Sequence, residues 1–139
     1  MDKCDKSYLL PVPVIPDATG NLSFIQHPGL CPFEIKRVFY MFDLPEGSHR
    51  GGHSHFHEEQ LIIAAAGSFT VSIDNGRQVT RYTLDARGQA LYVPPRVWRS
   101  IDDFTAGSLC LVLSSTEFDE ADYVRDYTRF IELISHNND

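Results

Sequence analysis

Short apolar runs separated by turn residues dominate the middle of the chain. Ile35–Phe42 is rich in β-branched and aromatic residues and reads as a strand, with Leu22–Gln26 a shorter one. Gln60–Ala66 is continuously apolar after its first residue and is closed by Gly67. Ser68–Asp74 and Arg77–Leu84 flank Asn75-Gly76, a pair whose tolerance of positive φ predicts a hairpin. Ala90–Val93 stops at Pro94-Pro95, and Leu109–Ser114 is another apolar strand. The first twenty residues carry Pro11, Pro13 and Pro16, then Asp17-Ala18-Thr19-Gly20. Proline fixes φ and lacks an amide proton, so an irregular or extended arm is expected over residues 1–16.

The period changes near the end. Tyr123, Tyr127, Phe130, Ile131 and Ile134 fall on one face of a helix, expected over about 119–135. Asp119, Glu120 and Asp122 sit near its start, where the helix dipole favours negative charge. Many short strands, regular turns and one late helix predict a small β-barrel or two-sheet sandwich with a C-terminal helix. No internal repeat or linker interrupts the pattern, so one domain over 1–139 is expected.

Composition narrows the function. The 139 residues carry 19 acidic and 12 basic side chains, a net charge of −7, which disfavours a general phosphate-backbone partner such as nucleic acid. No apolar run approaches the ~18–20 residues that span a bilayer, so no membrane partner is expected. Met1-Asp2-Lys3-Cys4-Asp5-Lys6 is charged and precedes no apolar block, which predicts no secretory signal and a cytoplasmic location. Cys4, Cys31 and Cys110 form no CxxC pair, so reduced cysteines in or near the core are expected.

The densest chemistry is a histidine cluster. His49, His53, His55 and His57 lie within nine residues and run into the apolar strand at Leu61. In an extended chain His53, His55 and His57 share a face, where imidazoles can bind a metal or move protons. A solvated histidine-rich loop is the competing reading, but it needs no adjoining apolar strand. Gly47, His53, His55, Glu59 and Gly67 are spaced as in the first motif of the cupin superfamily, which this stretch resembles. Gly88, Pro94 and position 99 resemble its second motif. Metal-binding cupins usually carry a third histidine ligand at that last position, and here it is Arg99. A guanidinium donates no lone pair and repels a divalent ion. Ligation would rest on His53, His55 and Glu59, with His57 beside them, so metal-free acid–base chemistry is the better expectation.

A closer resemblance is to the WxcM-like sugar 3,4-ketoisomerases. It is carried by Ile35–Asp43, Arg50-Gly51-Gly52-His53-Ser54-His55, Glu59-Gln60, Gly67-Ser68, Asp74-Asn75-Gly76, Leu91–Pro95, Val97-Trp98 and the tail Phe118–Tyr127. The likeness runs from about Asp17 to Ile134. It implies a cupin-type double-stranded β-helix (jelly-roll) barrel with a C-terminal α-helix. It also implies a homodimer that exchanges N-terminal strands. The implied reaction moves the keto group of dTDP-4-keto-6-deoxyglucose from C4 to C3 through an enediol or enediolate, in deoxy amino sugar synthesis for an O-antigen or S-layer glycan. The oxidation is internal, so no cofactor is expected, and no metal where protein donors hold the oxyanion.

By that resemblance His53 is the expected base and His55 the second acid–base or oxygen-binding group. Tyr40 is the third catalytic candidate, as a donor to a sugar oxygen, although a core tyrosine fits its sequence equally. Arg50, Arg37, Arg99, Glu59 and Trp98 are the expected substrate-binding residues. Arginine suits pyrophosphate through its planar fork of donors, with Arg96 a further contributor, and Trp98 and Tyr92 suit a pyrimidine or a core position. Two other readings stay open: a dTDP-sugar 3,5-epimerase, and a non-catalytic cupin that binds a metal or small ligand.

Overall fold

Period-two runs become antiparallel strands that stack as two sheets. The computed structural model describes residues 6–137, which form twelve strands and one α-helix. The first sheet orders β1 (Tyr8–Pro11), β9 (Gln89–Val93), β6 (Gln60–Ala66), β11 (Leu109–Ser114) and β4 (Arg37–Met41). The second orders β12 (Tyr123–Val124), β5 (Arg50–His55), β10 (Trp98–Asp102), β7 (Phe69–Asp74) and β8 (Val79–Leu84). A separate hairpin joins β2 (Val14–Asp17) to β3 (Gly20–Ser23), and α1 (Tyr127–Asn137) closes the chain. This is the cupin-like β-sandwich with a C-terminal helix.

Between the sheets lie Ile62, Ala64, Phe69, Val71, Ile73, Leu91, Val93, Ile101 and Val112, all buried. Alternation explains the choice: on β6, Ile62 and Ala64 face this core while Leu61 and Ile63 face outward. The outward pair is covered by a second cluster containing Leu10, Val12, Cys31 and Phe33. A strand buried on both faces has no polar side to show, which is why Gln60–Ala66 reads as continuously apolar. Cys31 and Cys110 are free and buried, while Cys4 and the N-terminal charge run to Asp5 lie outside the described residues.

Three expectations need correction. The N-terminal arm is not irregular: β1 pairs with β9 from Tyr8 opposite Tyr92 to Pro11 opposite Gln89, and β2 pairs with β3. Prolines are accommodated because β1 is a sheet edge and the hairpin has no third strand, so no amide proton is missed. The strand expected at Leu22–Gln26 ends at Ser23. The helix expected from about 119 begins at Tyr127; before it come a 3₁₀ turn, Glu120–Asp122, and the two residues of β12. Asp119 caps that turn, its Oδ1 accepting the Ala121 N–H at 3.0 Å.

The hairpin at Asn75-Gly76 forms, by a different turn. Asn75 keeps a negative φ, and its Oδ1 accepts the N–H groups of Arg77 and Gln78 at 2.8 and 2.9 Å. Gly76 has φ +92°, and a Cβ there would run into the Ile134 side chain of α1. The helix packs down through Phe130 and Ile134 onto Val124, Phe56 and Trp98, on the outside of the second sheet.

Candidate active site

The site begins with an irregularity between β5 and β10. Arg99 pairs with His53, but Ser100 pairs with Gly51, so Gly52 is an extra residue on β5. Bulges of this kind re-aim side chains. Gly51 has φ +91°, and a Cβ there would lie 3.1 Å from Ser100 Cα and 3.2 Å from Arg99 O, so glycine permits the close approach. The bend brings the Gly51 carbonyl to His53 Nδ1 at 2.9 Å. A carbonyl only accepts, so Nδ1 carries the proton. Nε2 is buried with no hydrogen-bond partner among the described residues.

His53 borders a cavity of about 290 Å³ between the sheets, lined also by Phe39, Met41, Ile62 and Val112 and by Gln60 and Arg99. Burial, then the nearby Arg99 charge, pushes the His53 pKa down to about 4. The ring is therefore neutral at pH 7, with its Nε2 lone pair available. Arg99 is 2% exposed; its Nη1 donates to Gln60 Oε1 at 2.9 Å, and its Nε has no partner. Burial lowers its pKa to about 10, so it stays cationic. A neutral base and a buried cation thus face one small cavity.

A second tier holds these groups. Glu58 Oε2 accepts from Arg37 Nη2 at 2.8 Å and Gln60 Nε2 at 2.5 Å, and Oε1 accepts from Thr116 at 3.1 Å. Glu58 thereby orients Gln60, and Gln60 orients Arg99. His55, 1% exposed, lies behind His53 with ring centroids 4.7 Å apart. Its Nδ1 is 3.3 Å from Asp122 Oδ2 and 3.6 Å from Glu58 Oε1. Burial first, then the charge of Arg99, holds the His55 pKa well below that of an ordinary histidine. The ligand atoms of His55, Glu58 and Asp122 lie within 4.8 Å of one another, close enough for one cation. Their oxygens already accept from Arg37, Gln60, Thr116 and two backbone amides, and Arg99 adds positive charge. The set fits hydrogen-bonded protons better than a divalent ion.

The structure places the other sequence candidates as follows. Arg50 lines the cavity with His53 and Arg99. Arg37 faces inward but is engaged by Glu58. Tyr40 is a correction: β4 alternates, Phe39 and Met41 point into the cavity, and Tyr40 is 58% exposed on the opposite face, stacked near Phe42. Glu59 is another: its Oε1 accepts from Tyr92 Oη at 2.6 Å, away from the cavity, while Glu58 is the carboxylate at the histidines. Parity explains it, since 58, 60 and 62 share a side. Trp98 is a third, because Arg99 and Ile101 line the cavity on β10 and Trp98 packs edge-on against Tyr127 and beside Phe130. His57 is exposed, off the face of His53 and His55.

Residues that sequence reasoning missed come from the tail. Tyr123 pairs with His55 across β12 and β5, its ring 5.0 Å from that of His53 and 4.3 Å from that of His55. Burial and the Glu58 charge raise its pKa, so the phenol keeps its proton. Arg125 stacks over the Tyr123 ring at 4.3 Å and borders the cavity. Counting Tyr123 into the helical face hid both.

Comparison with known proteins identifies the family and the fold. The sequence pattern of the family described as "FdtA: WxcM-like, C-terminal" matches residues 5–135. A TDP-4-oxo-6-deoxy-alpha-D-glucose-3,4-oxoisomerase of Aneurinibacillus thermoaerophilus is 39% identical over 122 residues, covering 88% of each chain. The sugar 3,4-ketoisomerase QdtA of Thermoanaerobacterium thermosaccharolyticum, in complex with TDP, superposes with a TM-score of 0.92 at 34% identity, over 94% of this chain and 96% of that one. A histidine-to-asparagine variant of QdtA, in complex with TDP-4-keto-6-deoxyglucose, has a TM-score of 0.92 at 32% identity, over 98% and 97%. With a match across nearly its whole length and a folded likeness of this extent, the chain belongs to the WxcM-like FdtA family.

Proposed function

We propose that this chain is an isomerase, a 3,4-ketoisomerase that converts TDP-4-keto-6-deoxyglucose to the 3-keto sugar. The observation that carries the reading is His53, a neutral imidazole whose free Nε2 borders a cavity shared with the buried Arg99 cation. The C3 hydrogen is acidified by the C4 ketone. His53 Nε2 takes that proton, and the C3–H electron pair becomes a C3–C4 double bond as the carbonyl pair moves onto O4. Arg99 holds the resulting enediolate charge, a role that costs little reorganisation because Gln60 and Pro94 O already fix the guanidinium. O4 takes up a proton, giving the enediol. O3 then gives its proton to the neighbouring acid–base group, C3 becomes the ketone, and the C3–C4 electron pair takes a proton at C4. The two protons lost from C3 and O3 are thus matched by the two gained at O4 and C4. His55 and Tyr123, packed on His53, are the groups assigned to proton traffic at the oxygens and C4.

No net electrons are gained or lost, so the reading is cofactor-free; Arg99 in the usual ligand position supports a metal-free site as well. Arg50 and Arg125 at the cavity edge are the proposed diphosphate contacts. No described helix is long and apolar enough to cross a membrane, and a cytoplasmic enzyme of deoxy amino sugar synthesis is the reading that the resemblance supports. A homodimer is supported by the surface; β1 pairs with β9 of its own chain, so the strands that remain for the exchange the resemblance implies are those of the β2–β3 hairpin. Val14, Ile15, Leu22 and Phe24 are exposed on and beside the β2–β3 hairpin, and Val38, Tyr40 and Phe42 on the edge strand β4 and just beyond it.

The test is NMR analysis of the product formed from TDP-4-keto-6-deoxyglucose in deuterium oxide. A 3-keto product, with C3 exchange abolished in His53→Asn, is expected. A product epimerised at C5 would support the epimerase instead. Ligand binding without turnover would support the non-catalytic reading.

A further inference from the structure

The reaction as assigned leaves one buried carboxylate without a role. Asp122 is 7% exposed and sits at the end of the 3₁₀ turn, immediately before Tyr123. Its Oδ1 accepts the His57 N–H at 2.9 Å, its Oδ2 accepts the Glu58 N–H at 3.1 Å, and its backbone carbonyl accepts the Phe56 N–H at 3.0 Å. One residue therefore ties three successive amides of the turn that follows the histidine strand.

Amide binding alone does not account for the His55 ring, whose Nδ1 lies close beside this carboxylate. Its Nδ1 faces Asp122 Oδ2 at 3.3 Å and Glu58 Oε1 at 3.6 Å, and neither ring nitrogen has a hydrogen-bond partner among the described residues. A lone pair on Nδ1 this close to two buried carboxylates is repelled, whereas an N–H there is attracted, and a small ring rotation aligns it with Asp122 Oδ2. Charge balance points the same way. Two guanidinium groups, Arg37 and Arg99, already oppose the two carboxylates, with Arg125 further out, so a neutral His55 leaves no uncompensated charge in the cluster. The other titratable groups packed on His55 are the His53 and Tyr123 rings, at 4.7 and 4.3 Å.

We propose that Asp122 is a positioning residue of the isomerase. It holds the Nδ1–H of His55 and anchors the 56–58 turn, so that His55 stands as a neutral imidazole with its Nε2 lone pair free beside His53 and Tyr123. This rests on the acid–base assignment of His53 and His55 above. The pairing is a carboxylate–imidazole dyad one layer behind the base. It prepares His55 to take up a proton in the half-reaction that follows C3 deprotonation.

Two measurements test it. Long-range nitrogen–proton NMR of the wild-type protein reads the tautomer with no variant needed. Expected is His55 with protonated Nδ1 and unprotonated Nε2 at pH 7. Asp122→Asn should lose that tautomer and lower kcat by about 10–100-fold, with KM and TDP affinity within about twofold of wild type and C3 exchange by His53 retained. An Nε2–H tautomer or a charged His55 in the wild type overturns the proposal. So does a wild-type kcat in Asp122→Asn, or one equivalent of zinc bound through His55, Glu58 and Asp122. His53→Asn measured alongside keeps the readings apart: C3 exchange surviving in that variant refutes the base assignment, whereas the tautomer bears on Asp122 alone.

Discussion

Acidification should destabilise this protein through His53 in a window set by its burial. The folded ring has a pKa pushed down to about 4 by desolvation and by Arg99, against 6.5 when exposed. Above pH 6.5 both states are neutral and His53 contributes nothing to the pH dependence. As pH falls through 6.5, the unfolded chain binds a proton that the folded chain refuses. Unfolding is then favoured by about 1.4 kcal/mol per pH unit until the folded pKa is reached near 4. At pH 4.5 the loss amounts to about 2–3 kcal/mol, a large share of the ~5–15 kcal/mol of a typical domain. His53→Asn removes the titration while keeping a side-chain N–H for the Gly51 carbonyl. Urea unfolding of both proteins at pH 7 and pH 4.5 isolates the effect, because the remaining titrations are common to the pair. Wild type should lose about 2–3 kcal/mol more than the variant, and the acid limb of kcat/KM should lie well below pH 6.5. Equal losses in the two proteins, or an acid limb at 6.5, would refute a buried neutral base.

Three further outcomes are expected. Arg99→Met should lower kcat by about 10²–10³-fold in steady-state assays with TDP affinity, by calorimetry, little changed; an unaltered kcat would remove Arg99 from enediolate stabilisation. Gly76→Ala should cost about 2–3 kcal/mol in urea unfolding, since its Cβ meets Ile134 and its φ is +92°, and full stability would mean α1 does not pack there. Sedimentation at micromolar concentration should give a dimer; a monomer would count against exchange of the N-terminal strands.

The sandwich was legible because its two interior faces leave different marks. Strand β6, buried on both sides, is a solid apolar run, and the β7–β8 hairpin is announced by Asn75-Gly76. Strands β5 and β10 were not legible as strands. They carry Arg50, Gly51, Gly52, His53, Arg99 and Asp102, which β-propensity disfavours, because these strands build the site. His53, Arg50 and Arg99 could be found from the cupin spacing and the family resemblance. Glu58 and Glu59 differ only by parity, and parity counted forward from the histidines is lost across the bend at residues 56–57, so the motif points to the outward one. Tyr40 fell to the same ambiguity: a residue's face on β4 is fixed only when β11 supplies the register, Val112 opposite Phe39 and Leu111 opposite Tyr40.

The tail departs from the helical expectation for a reason that bears on mechanism. Tyr123 lies four residues before Tyr127, a spacing that a helix would use, and the helical period absorbed it. What overrides local preference is tertiary pairing: Tyr123 and Val124 hydrogen-bond to His55 and Ser54 along the edge of β5, and Asp122 ties down the amides beyond it. The chain from Asp119 to Arg125 is thus held by the histidine strand rather than by its own helix. Its side chains then stand on consecutive layers of the site, Asp122 at His55, Tyr123 against both imidazoles and Arg125 at the cavity edge. Removing this segment would expose the His53 and His55 rings to water, relax the desolvation that keeps them neutral and unfix the Nδ1 partner of His55. On the proposed mechanism the C-terminal strap is part of the acid–base apparatus, and the helix after it is the anchor, gripping Val124 through Phe130 and Ile134.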